Sequence, residues 1–223
     1  WADLREEMCR TTIDFLENMR AGLNVLDQTP DKMFAMRRVI AELEDTWTFT
    51  GNADLGLFGV LSHPYIDTAI STVDYSNDGD ADDIISDWTY WAFYAQTQSK
   101  STFQADTMLI SVKLLSTLSR RRFGADRNLT LLQAFQESCP HIKNIVPVWQ
   151  FDDAGGSATH AMMFMRQGSG SDSSVRVMKV LDETMLPPDV RALGTEIFTI
   201  SGTGGINQTQ AGDNLVVYAT GEA

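Results

Sequence analysis

Apolar residues near the start of the chain recur at three- and four-residue spacing. Leu4, Met8, Phe15, Met19 and Leu23 fall on one side of a helix expected over about Ala2–Ala21, with Gly22 near its end. Thr29-Pro30-Asp31 then reads as the start of a second helix. Threonine is the N-cap, and proline takes the first helical position, where its missing N–H costs nothing. Met33, Met36, Ile40, Leu43 and Trp47 stripe one face of that helix, which ends near Thr50-Gly51. A loop punctuated by Gly51, Gly56 and Gly59 follows, where positive φ or close backbone approach is expected. Residues 67–80 are polar and rich in turn formers, so a connection is expected there.

Asp78-Gly79-Asp80-Ala81-Asp82-Asp83 opens a further helix, its acidic first turn favoured by the helix dipole. Ile84, Ile85, Trp88, Trp91, Ala92 and Ala95 form its apolar face, and Tyr90, Phe93 and Tyr94 spread the aromatic character around it. Such a helix is buried or sits at an interface. Thr107–Ile110 reads as a short buried strand, and Ser111 as N-cap of the helix carrying Leu114, Leu115 and Leu118. Asn128-Leu129-Thr130 starts a shorter helix that Pro140 closes. Ile142–Phe151, His160–Met165 and the run Val175, Val177, Val180 read as strands, with a turn at Gly155-Gly156 and a flexible tip over Gly168–Ser174. Thr195–Ile200 and Leu215–Tyr218 are two last extended segments. Helices come early and strands late, without βαβ alternation, so the fold class is α+β.

A chain of 223 residues with 43% hydrophobic and 21% charged residues can bury a core in one domain or two small ones. No apolar run approaches the roughly 18 residues of a membrane span, and acidic residues interrupt any secretory signal pattern at the start. A first residue other than Met points to a lost N-terminal segment. The net charge of −13 opposes binding to nucleic acid through phosphate contacts, which needs clustered Lys and Arg. The one basic cluster, Arg120-Arg121-Arg122, is expected at a helix C-terminus, where cations are favoured. Cys9 and Cys139 form no disulfide or zinc pattern, which suits a reducing compartment; Cys9 is read as a small apolar residue in the first helix.

No candidate for chemistry holds up. Asp74-x-Ser76-x-Asp78-Gly79-x-x-Asp82 partly mimics a calcium loop, but its twelfth position is Ile85 instead of a bidentate Glu, so a capped helix start is the reading. Gly202-Thr203-Gly204-Gly205 stands near the C-terminus with no helix after it, which suits a turn or bulge better than a phosphate cradle. His63, His141 and His160 are the available general bases, yet no Gly-x-Ser-x-Gly elbow accompanies them. No catalytic, metal or cofactor site is therefore assigned.

The helix ending in Glu44-Asp45, followed by Gly56-Leu57-Phe58-Gly59-Val60-Leu61-Ser62-His63-Pro64-Tyr65-Ile66, resembles the major capsid proteins of tailed bacteriophages and the related encapsulin shells. Further segments resemble that family in order along the chain: the helix within Asp80–Ser99, Ala105–Ser111 with its following helix, Asn128–Leu132, and Gly204-Gly205-Ile206 with Asn214-Leu215-Val216. Ser111 stands where the family commonly has proline, and the chain is expected to begin after the family's N-terminal arm and extended loop. The resemblance implies a peripheral domain over 1–66 with a spine helix at about 31–47, an axial domain over 67–188, and return strands of the peripheral domain over 189–223. It implies a structural subunit that assembles with copies of itself, in hexamers and pentamers, into an icosahedral shell around a phage genome. Binding of that genome is not sequence-specific. Portal, decoration or scaffolding proteins are the other partners implied, with no membrane; the place is the virion, assembled in the host cytoplasm. Burial suggests that Asp31–Trp47 packs on both late segments, Thr195–Ile200 and Leu215–Tyr218. The alternatives are an encapsulin-type compartment wall, separable by its cargo, and a small acidic hydrolase, separable by its size in solution.

Overall fold

The computed structural model of the chain describes residues 5–14, 29–76, 79–98, 100–101, 103–123, 129–156, 158–167, 173–186, 189–191, 194–208 and 214–221. Leu4, Phe15, Met19, Gly22, Leu23, Asp78, Asn128 and most of the expected tip at Gly168–Ser174 lie outside them. The chain divides into two units, Trp1–Ser62 with Val177–Ile206, and His63–Arg176 with Asn207–Ala223.

In the first unit the expected opening helix is instead a strand, β1 (Arg5–Asp14), and Cys9 lies within it. All ten residues pair antiparallel with a long strand, β10 (Gly194–Gln208), from Arg5↔Thr203 to Asp14↔Gly194. Tertiary pairing of the β-branched Thr11-Thr12-Ile13 stretch overrides the helical spacing upstream. β10 also carries β8 (Val175–Met185) and β9 (Asp189–Arg191). The glycine cluster is extended within β10, Gly202 and Thr203 facing Glu6 and Arg5. Of its four residues Gly205 has a positive φ, +75°, close to the Phe58 carbonyl.

Helix α1 spans Thr29–Phe49, as its capping residues predict. Met36 and Ile40 are buried, and Met36 packs with Ile197 of β10, flanked by Met33 and Met185. Leu43 departs from the expected stripe and is exposed. Its neighbour Glu44 is what meets the sheet: the carboxylate accepts from the Ser201 hydroxyl and lies 3.1 Å from Lys179 Nζ, and Arg37 pairs with Glu183 at 3.1 Å. Half-exposed pairs of this kind contribute at most about 1 kcal/mol each, so the methionine–isoleucine contact carries the packing and the ion pairs fix its register.

The glycine loop closes the end of α1. Val60 N–H donates to Thr48 O (2.9 Å), Leu61 N–H to Phe49 O (2.9 Å), and the Ser62 hydroxyl to Thr50 O (3.0 Å). Carbonyls that a helix end leaves without partners are thus satisfied by the following loop. Two short strands, β2 (Gly51–Asn52) and β3 (Leu57–Phe58), pair across this loop, and a 3-10 turn between them ends at Gly56 with φ +68°.

The second unit is a five-stranded sheet with helices packed on it. Its strands are β4 (Asp67–Asp74), β5 (Thr107–Ser111), β6 (Asn144–Val148), β7 (Thr159–Met165) and β11 (Leu215–Thr220), in the order β4-β11-β7-β5-β6. Two expectations are corrected here. Residues 67–74, read as a polar connection, are an edge strand that exposes Asp67, Thr68, Thr72 and Asp74 together with Ile70 and buries Ser71. Leu215–Tyr218, expected on α1, is an inner strand of this sheet, between β4 and β7, with Leu215, Val216 and Val217 fully enclosed. An all-apolar run is what a strand covered on both faces requires. The segment expected as a strand over Ile142–Phe151 is β6 followed by a 3-10 turn at Trp149–Phe151.

Three helices cover the sheet: α2 (Ala81–Gln98), α3 (Val112–Arg120) and α4 (Leu131–Ser138). The middle one, α4, packs on both α2 and α3. Ser111 caps α3 through Leu114 N–H, and Thr130 with Gln133 forms a capping box on α4, each such cap contributing about 1 kcal/mol. Trp88 of α2 stacks on Phe135 of α4 at 4.1 Å, both fully enclosed.

Candidate functional site

The calcium-like loop is built around a protein cation. Asp74 accepts from the Ser76 N–H and hydroxyl (2.8 Å each), and Asp80 from Asp82 N–H (2.8 Å), so the carboxylates are engaged with their own backbone. The guanidinium of Arg121 donates to the carbonyls of Ser76 and Gly79. Arg121 is also the C-cap of α3, its N–H donating to Thr117 O at 3.1 Å, as the helix-end reading of the arginine cluster predicts. Its side chain does the further work of holding a loop some forty residues upstream, which sequence proximity gave no means of seeing. Arg121→Gln is expected to cost about 1–2 kcal/mol by leaving those carbonyls poorly paired. Thermal melting checks this, and a rise in melting temperature of the wild type with added calcium would overturn the assignment.

The histidines sit apart. His160 is enclosed, its Nδ1 accepting from Asp153 N–H (3.2 Å) and its Nε2 2.6 Å from the Gly221 carbonyl. That pairing fixes the neutral tautomer with hydrogen on Nε2 and ties β7 to the chain end. His63 Nδ1 accepts from Tyr65 N–H, and the His141 ring lies tilted against Phe93 at 4.5 Å; burial pushes the pKa of each below the ordinary imidazole value. Ser111 donates its hydroxyl to Asp152, which also accepts from Lys113 N–H (3.2 Å). The Ser111–Asp152 pair thus serves as the N-cap of α3, and the His160 ring is engaged by backbone groups on both nitrogens. Among the described residues no three His, Cys, Asp or Glu side chains are grouped as metal ligands. No described helix is long and apolar enough to cross a membrane.

What the surface offers instead is contact area. On α2, Ile84, Trp88 and Ala92 are buried, while Tyr90 is 58% and Phe93 37% exposed. Their rings and Tyr94 line a shallow groove of about 350 Å3 with Thr97 at one end. The aromatic crowding seen in the sequence thus divides into a core face and an outward face. A second exposed aromatic was not legible: Trp149, read as part of a strand, stands 60% exposed on the turn after β6, and Val112 at the start of α3 is exposed too. In the first unit, Phe34, Val39 and Leu43 on the outer side of α1 and Val177 and Val180 on β8 are also exposed. Apolar residues gathered at the surface in this way mark interaction sites.

Comparison with known proteins agrees with that reading. The sequence profile of the major capsid protein family matches residues 9–221. No curated protein sequence matches significantly. Solved structures do: the capsid of Myoviridae phage XM1 has a TM-score of 0.84 at 11% identity, covering 97% of this chain and 73% of that one. The capsid of an empty GTA particle, computed with C5 symmetry, has a TM-score of 0.64 at 11% identity, covering 97% and 74%. The holo-SrpI encapsulin complex from Synechococcus elongatus has 0.58 at 10%, covering 96% and 73%. With its tailed-phage capsid fold and a family match over nearly its whole length, this chain belongs to the major capsid protein family and is a structural shell protein.

Proposed function

We propose that this protein self-assembles in hexamers and pentamers into the icosahedral shell that encloses a tailed-phage genome. The family match over residues 9–221 carries the reading. The first unit serves as the peripheral domain, with α1 as its spine, and the second as the axial domain. A net charge of −13 suits a wall whose contents must not adhere to it, because like charge repels the phosphate backbone. Assembly takes place in the host cytoplasm, with portal, scaffolding or decoration proteins as further partners. No catalytic step is part of this proposal, and the capping pair Ser111–Asp152 and the backbone bonds of His160 are consistent with structural roles.

The encapsulin wall is the second reading, favoured by the likeness to the Synechococcus complex but less strongly than the phage capsid, as the TM-scores of 0.58 and 0.84 indicate. Sizing of the purified chain with negative-stain microscopy tests the proposal. Closed particles of megadalton mass are expected, with nucleic acid inside those recovered from an infected host. A monomer or small oligomer at every concentration would overturn it, and a protein cargo would select the encapsulin reading.

A further inference from the structure

We draw no further inference here: the strongest candidate, the aromatic groove between Tyr90, Phe93 and Tyr94 on the outward face of α2, is an unpartnered apolar face, and nothing in the structure shows what covers it.

Discussion

Gly59→Val is expected to abolish most folded protein, and Gly59→Ala to lower the melting temperature by about 10 °C. A Cβ on Gly59 would lie 2.3 Å from Gly51 N, 2.5 Å from Thr50 C and 2.6 Å from Phe49 O. All three are backbone atoms, so no side chain can rotate away, and the loop must separate from the end of α1. That separation breaks the bonds from Val60 and Leu61 to the last carbonyls of the helix. Overpacking alone costs about 1–3 kcal/mol, and rigid surroundings put this site at or above the upper figure. At 2–4 °C per kcal/mol for a chain of this size, a shift of about 10 °C follows. The neighbouring glycine is the control. Gly56 has nothing within 4 Å of its would-be Cβ but holds φ +68°, a conformation asparagine tolerates and valine does not. Gly56→Asn should therefore melt near the wild type. A Gly59→Ala chain that melts and assembles like the wild type would show that the loop is not constrained in this way.

Trp88→Ala is the second change with a large expected effect, a loss of about 3–5 kcal/mol. The indole is fully enclosed and stacked on Phe135 at 4.1 Å with an interplanar angle of 19°. It joins α2 to α4, and the helix face opposite carries the aromatic groove. On the same stretch of α2, Asp87 accepts from Ser71 (2.7 Å) and from the enclosed Tyr75 hydroxyl (2.8 Å), holding the helix to β4. Burial and the adjacent Asp87 charge push the Tyr75 pKa far above the usual phenol range. Removing the indole leaves these polar ties intact but opens a cavity between the helices. Denaturant or thermal unfolding should register the loss, with Trp88→Phe distinctly milder because the stack survives. A Trp88→Ala chain of wild-type stability would mean that α2 and α4 do not depend on each other.

Much of the fold could be read from local pattern. The helix start at Thr29-Pro30, the N-cap at Ser111 and the apolar runs at Thr107–Ile110 and His160–Met165 each depend on neighbours within a few residues, and each is where the pattern puts it. The failures share one cause. Arg5–Asp14 was read as a helix because Leu4, Met8 and Phe15 keep helical spacing, but its partner is a strand nearly two hundred residues away. Asp67–Asp74 looked like a connection because an edge strand shows its polar side chains to water, and its buried Ser71 is polar too, held by Asp87. The loop contact of Arg121 and the exposure of Trp149 are hidden from the sequence for the same reason: what they touch or expose depends on distant chain.

The sequence by itself determined the α+β class and the helix after Thr29 with its glycine loop, since these follow from spacing and turn chemistry within one segment. Tertiary structure alone decided which sheet each late strand joins, and it placed Leu215–Tyr218 between β4 and β7 inside the five-stranded sheet. It also decided which aromatic side chains of α2 face outward. Strand pairing and exposure are set by long-range burial, in which several partners of similar hydrophobicity compete and only the packed whole selects among them.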